Sequence, residues 1–385
     1  MAATEALLVL ILVSSLSAQI PVRRSEARRF LPITRFYSVP DPLPTGKPGE
    51  LIRSQPFSNY DLALEVSATR ILYHSRSAKG DDVAVSGVVL TPSGKAPTGG
   101  WPVIAWAHGL SGVGRQCAPS LMRNLEHGPF LSMYVKLGYA VVATDYAGLG
   151  AAAPSASMDV NSNARDVLYA VDAARTALPQ LGSKWVALGE AEGALAVAAL
   201  AELQSSARDP NYLGAIAISG LADLRDIYER AAGSSPEKFV VLARQIKSEY
   251  RQFRPESILL PAGVAIYDRL ESTCSPPGID TAKASQILKP EWKDNGFIKQ
   301  FFESNSLGLK SAYGPLLVIA GEADTRVLPS MTTQTVSHMC KQGDRIELEK
   351  YPNVDGGRVL GESTRDQIAW IQARFAGIKA SSNCP

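Results

Sequence analysis

Trp185 to Leu188 form a short apolar run that leads into Gly189-Glu190-Ala191-Glu192-Gly193 and then into an alanine-rich segment. Strand, sharp turn and helix, with glycines two residues either side of the centre, is the setting in which a G-x-S-x-G turn presents a nucleophilic serine. The turn is tight enough that a Cβ on either glycine would collide with the neighbouring strand and helix. Its central residue is driven into a sparsely populated backbone region at a cost of about 1–3 kcal/mol. Here that residue is Ala191, which carries no nucleophile. Taken alone, G-x-x-x-G also describes an ordinary strand-to-helix turn.

Two acidic residues flank the centre. A carboxyl in an apolar cleft has its pKa raised toward neutrality, so Glu190 or Glu192 could serve as acid or base. Positions on either side of a tight turn point in different directions, however, and are not expected to converge on one atom. The plainer expectation is that one carboxylate is hydrogen-bonded near the N-terminus of the following helix, where negative charge is favoured.

The chain has only four histidines. His74 falls on an early strand and His338 on a helix two residues before Cys340, which suits structural roles. His127 lies in a helix or helix break with no motif around it, and His108 follows a strand. No metal or cofactor is expected. The net charge of +2, with both signs interspersed, gives no footprint for nucleic acid.

The elements that must position these residues alternate. Strand-like runs are Ile71–His74, Val83–Leu90, Val103–Ala107, Ala140–Thr144, Trp185–Leu188, Ala215–Ser219, Leu316–Ala320 and Ile346–Leu348. Several are continuously apolar, as strands buried on both faces of a largely parallel sheet must be. Helical patterns cover Asp166–Leu181, Gly193–Leu203 and Glu362–Phe375, which together imply an α/β sandwich. Residues 221–310 break the alternation with charge, helical periodicity and prolines that include Pro255, Pro261, Pro276 and Pro277. Ninety residues between two sheet strands are too many for a loop, so an inserted, mainly helical cap is expected. The core then comprises residues 19–220 and 311–385.

At the N-terminus, Leu7–Val13 is apolar and is followed by small residues through Ala18, the pattern of a secretory signal over residues 1–18. The run is too short for the ~20 residues that span a bilayer, and no later segment in the mature chain approaches them. The basic, proline-containing stretch from Arg23 to Pro48 should form an irregular arm. Behind a signal sequence, the four cysteines Cys117, Cys274, Cys340 and Cys384 suggest two disulfides, with three pairings open.

Several further motifs occur in a specific order. Ala107-His108-Gly109 follows the third strand, and Cys117-Ala118-Pro119-Ser120 comes soon after. Asp145-Tyr146-Ala147-Gly148-Leu149-Gly150 follows the fourth and Gly321-Glu322-Ala323-Asp324 the seventh. Tyr351-Pro352-Asn353-Val354-Asp355-Gly356-Gly357 ends the eighth. In this order and spacing, over roughly residues 71–384, the chain resembles the secretory lipases.

The resemblance implies an α/β-hydrolase fold with an inserted helical cap, and disulfides Cys117–Cys274 and Cys340–Cys384. It places the triad acid on Asp324, the nucleophile position on Ala191 and the histidine position on Gly356. Active relatives read close to G-H-S-Q-G at the elbow and carry a histidine directly after the aspartate matched by Asp355. Two of the three triad groups are therefore absent. His108 would support the oxyanion loop, and His108, Gly109, Leu110, Tyr146, Glu190 and Glu192 would surround the ligand.

Without an elbow serine no Ser–His nucleophile can be assembled. The leading expectation is an exported, non-hydrolytic protein that binds a hydrophobic or lipid-like small molecule, such as an acyl chain, sterol or polyketide-like compound. The alternative is a cyclase, isomerase or lyase using Glu190 or Asp324 as acid or base. A third is a lipase inactivated at Ala191 alone, which the loss at Gly356 and the flanking glutamates disfavour.

Overall fold

The computed structural model describes residues 30–270, 274 and 284–384. The signal segment at 1–18, the start of the basic arm and the proline pair Pro276-Pro277 lie outside the described residues.

Nine strands form one sheet in the order β1-β2-β3-β5-β4-β6-β7-β8-β9. They are β1 (Leu51–Pro56), β2 (Val66–Arg76), β3 (Asp82–Pro92), β4 (Trp101–Ala107), β5 (Ala140–Thr144), β6 (Leu181–Glu190), β7 (Tyr212–Ile218), β8 (Leu316–Gly321) and β9 (Ile346–Tyr351). From β5 to β9 across the sheet every pairing is parallel, whereas β1, β2 and β3 add an antiparallel flank that joins at β5. In β4, Val103, Ile104, Ala105 and Ala107 are all inaccessible. A strand with apolar side chains on both faces needs cover on both, and helices supply it.

On one face lie α2 (Val160–Ala177) and α3 (Glu192–Ala207); on the other lie α1 (Gly128–Lys136) and α11 (Thr364–Phe375). The alanines of α3 are buried all round, which lets the helix approach the sheet closely. The sequence pattern placed a helix at Asp166–Leu181. The observed α2 begins six residues earlier and ends at Ala177, with Leu181 already in β6. Its start is set by Asp159, whose side chain accepts from the Ser162 N–H at 3.0 Å, ahead of a first turn too polar to show periodicity. The edge strand β1 carries Leu-Ile-Arg-Ser-Gln-Pro, half exposed and without alternation, and so left no strand signal.

Between the neighbouring strands β7 and β8 the chain makes a helical excursion containing α4 (Leu224–Ser234), α5 (Lys238–Glu249), α6 (Pro261–Tyr267), α7 (Ala284–Ile287) and α8 (Gly296–Ser304). Tyr228, Phe239, Trp292 and Phe302 hold it together, with Phe239 and Trp292 ring centroids 4.6 Å apart. After β8 come α9 (Pro329–Lys341) and α10 (Val359–Glu362). The disulfides are Cys117–Cys274, which ties the excursion to the loop after β4, and Cys340–Cys384, which fastens the C-terminus. His74 is structural: its Nδ1 lies 2.9 Å from Asp82 Oδ1 across the β2–β3 hairpin. Among the described residues no helix is long and apolar enough to cross a membrane.

Candidate functional site

At the C-terminal end of β6 the chain turns sharply into α3. Ala191 sits at the turn's centre with φ 54° and ψ −113°, and its N–H donates to Ile218 O at 2.9 Å. A Cβ built on Gly189 would lie 2.1 Å from Gly193 O, and one on Gly193 would lie 2.0 Å from Ala107 O. Both obstacles are backbone atoms that cannot rotate away, so the two glycines are a steric requirement of the turn. This is the strained geometry of a nucleophile elbow, closed around a methyl group.

Asp324 follows β8 and is 6% exposed. Its Oδ1 accepts from the N–H groups of Arg326 (2.8 Å) and Val327 (3.1 Å), and Ser219 Oγ donates to its Oδ2 at 3.3 Å. Gly356 faces it so closely that an added Cβ would lie 2.0 Å from Asp324 Oδ2 and 2.7 Å from Ser219 Oγ. The carboxylate occupies the space where a side chain at position 356 would begin.

The elbow opens onto a cavity of about 450 Å³ at the carboxyl ends of β6, β7 and β8, where ligands of open parallel sheets bind. Leu195, Ile227, Tyr228 and Val241 form much of its apolar wall. Gly109, Leu110, Glu190 and Glu192 also line it. His108 and Tyr146 do not line this cavity. They stack behind its wall with ring centroids 4.3 Å apart, and Tyr146 donates from its hydroxyl to His108 O at 3.1 Å.

Burial pushes the His108 imidazole down to about 4, so the ring is neutral at pH 7. Its Nδ1 lies 2.6 Å from Gly109 O and its Nε2 lies 3.2 Å from Asp145 O. The shorter contact assigns the single ring proton to Nδ1. Held this way, His108 fixes the loop that carries Gly109 and Leu110.

Glu190 and Glu192 share the cavity but are engaged on different sides. Glu192 Oε1 accepts from the Met158 N–H and from Asn163 Nδ2 (2.8 Å), so it ties the segment before α2 to the elbow rather than binding its own helix. Glu190 turns toward Gly109, where an added Cβ would meet its Oε2 at 2.9 Å. Burial raises both carboxyls to about 7, although the Arg326 charge works against this at Glu190.

A third carboxyl, Glu126, joins them. Burial first, then the charges of Glu190 and Glu192, raise it to about 7. Its Oε2 stands 3.9 Å from His108 Nδ1 and has no hydrogen-bond partner. Leu125 and Glu126 are consecutive non-glycine residues at positive φ, 50° and 60°, and this turn aims Glu126 inward. Neither residue type announces such a backbone, so this turn is not legible in the residue pattern. The same turn brings His127 to the cavity as the residue preceding α1, with its ring 5.6 Å from Trp106. Opposite, Arg326 and Lys238 supply two cations, and burial together with Arg326 draws the Lys238 amine below its ordinary value. Among the described residues no group of three His, Cys, Asp or Glu side chains could hold a metal ion.

A parallel sheet with a glycine-bounded elbow, an aspartate loop after β8 and a helical excursion beside the cavity defines an α/β-hydrolase. Residues 126–383, two-thirds of the sequence, match the secretory lipase family, and the chain belongs to that family. Its fold is similar to that of Candida antarctica lipase A in its closed state, at 17% identity and a TM-score of 0.78, over 91% of this chain and 87% of that one. It is also similar to the rice cell wall degrading esterase LipA from Xanthomonas oryzae, at 16% identity and a TM-score of 0.70, over 87% of this chain and 100% of that one. At these identities the likeness concerns the fold. No curated protein sequence matches the chain.

Proposed function

We propose that this chain is an exported, non-hydrolytic secretory-lipase homologue whose cavity holds a hydrophobic, lipid-like small molecule, with residues 221–310 acting as the cap. The observation that carries this is the pairing of Ala191 with Gly356. The elbow centre ends in a methyl group, and the Asp324 carboxylate fills the place of the missing base. No acyl-enzyme can form without a nucleophile, and binding plus backbone donors leave at most ~10³–10⁴-fold acceleration over water. The family and the two disulfides fit export to an oxidising compartment. The apolar wall from Leu195, Ile227, Tyr228 and Val241 suits an acyl chain or fused ring system.

A second reading has one specific support, the unpartnered Glu126 Oε2 beside Glu190. Two carboxyls near neutrality in an apolar cavity can pass a proton to and from a bound substrate, as a cyclase, isomerase or lyase requires.

The deciding experiment pairs a p-nitrophenyl ester series with equilibrium binding of a fluorescent fatty acid. For the natural protein we expect binding without turnover, unchanged in Glu190→Gln. An Ala191→Ser, Gly356→His variant should gain weak esterase activity, limited by the rotation Asp324 must make to admit the imidazole. Ester hydrolysis by the natural protein that disappears in Glu190→Gln would overturn the proposal and make the Glu190 carboxyl the group to pursue.

A further inference from the structure

A second cavity, of about 360 Å³, lies further along α5, away from the elbow. Lys238 and Val241 line the elbow cavity, whereas Gln245, Ser248 and Glu249, one to two turns on, line this one. Its facing wall belongs to the hydrolase core, with Asp159 and Ser162 at the start of α2 and Ser77 and Lys79 from the β2–β3 hairpin.

The polar inventory of these walls is incomplete. Gln245 is 2% exposed, yet its Oε1 has no hydrogen-bond partner, and neither has Glu249 Oε2. Asp159, 3% exposed, commits Oδ1 to the Ser162 N–H. Buried polar atoms in native proteins are almost always satisfied, so orphaned acceptors on one void mark a missing partner.

The partner's chemistry follows from what surrounds it. Lys79 and Arg251 stand against Asp81, Asp159 and Glu249, a formal balance of −1. Burial, with the Glu249 charge adding to it, raises Asp159 to about 7, which brings the balance closer to zero. The walls therefore select neither a strong anion nor a strong cation, and no metal-holding group exists among the described residues. Hydroxyl, amide and carboxyl groups share the wall about evenly with apolar surface from Val83, Ala147, Pro154 and Ala156, a mixture that suits the polar edge and apolar face of a sugar ring and is more polar than the lining of the elbow cavity.

We propose that this second cavity binds a neutral, hydroxyl-rich ligand of mono- or disaccharide size, which donates to Gln245, Glu249 and Asp159. It differs from the apolar elbow cavity in ligand class and adjoins it at α5 and at the segment entering α2, where Met158 lines one cavity and Asp159 the other.

Ligand-observed NMR titration of the full protein with glucose, mannose, galactose, xylose and cellobiose tests this. Glucosamine and glucuronate serve as charged controls. At least one neutral sugar should bind with a Kd of about 1–10 mM or tighter. Gln245→Leu should weaken it at least tenfold, and the isosteric Glu249→Gln several-fold. Fatty-acid binding at the elbow cavity should stay unchanged in both variants, which reports that α5 keeps its place. Three results would overturn the proposal: no neutral sugar binding at about 50 mM, sugar binding undiminished in both variants, or a tenfold preference for glucosamine.

Discussion

At the elbow, backbone meets backbone: an extra carbon on Gly189 or Gly193 would run into the carbonyl of Gly193 or of Ala107. Across the cavity, at Gly356, an extra carbon would meet Asp324 Oδ2, the tip of a side chain that can swing. At all three glycines the added carbon would lie 2.0–2.1 Å from its obstacle, yet the obstacles differ in kind. The elbow keeps its strained shape because β4, β6 and α3 close on it together, whatever side chain stands at its centre. The acid loop is shaped by side chains: with none at Gly356, Asp324 and Ser219 occupy the space beside it. Geometry fixed by the backbone is indifferent to the side chain it carries, whereas geometry fixed by side chains changes with them.

The largest expected effect tests this contrast directly. Gly193→Ala should cost more than about 4 kcal/mol, because neither Ala107 nor α3 can retreat without parting the sheet from its helix. Gly356→Ala, with a nominally equal clash, should cost about 1–2 kcal/mol as Asp324 rotates and Ser219 follows. Soluble yield and urea unfolding measure both. Equal destabilisation of the two variants would break the comparison.

What could be foreseen from the sequence divides along the same line. The elbow was legible because its requirement is local: two glycines at fixed spacing between an apolar strand and an alanine-rich helix. The parallel strands were legible because burial on both faces demands continuous apolar runs. Glu126, Lys238 and Arg326 were not, because each reaches the cavity by a tertiary route. Glu126 depends on two left-handed residues, Leu125 and Glu126, of types that seldom adopt that conformation, and Lys238 arrives on a helix of the β7–β8 excursion. His108 and Tyr146 were expected at the ligand because motif order gives neighbourhood but not which side of a wall a ring occupies.

The carboxyl cluster offers the next effect in size. Glu126 has a folded pKa of about 7 against an ordinary 4.5, so its raised value leaves stability intact below pH 4.5 and removes it as pH rises through about 7. Glu126→Gln should therefore unfold later than the natural protein at pH 8, by about 1–3 kcal/mol, and match it near pH 4.5. His108 works in the opposite sense. Its lowered pKa contributes stability above pH 6.5 that is lost as pH falls through about 4, equally in both proteins. Because Glu190 and Glu192 help raise Glu126, Glu190→Gln should stabilise less in the Glu126→Gln background than alone. Additive effects at pH 8 would show that the carboxyls do not interact.

The smallest effect bears on the strain at the elbow itself. Ala191 is held at φ 54° and ψ −113°, a conformation that costs a residue with a Cβ about 1–3 kcal/mol and glycine almost nothing. Ala191→Gly should recover that strain, less the roughly 0.5–1 kcal/mol of extra entropy that glycine loses on folding. A net gain of about 1 kcal/mol in urea unfolding would show that the turn is strained by its surroundings rather than by any demand of chemistry. A loss would mean that the methyl group's contacts outweigh the strain, and that the elbow has settled around alanine as Asp324 has settled around Gly356.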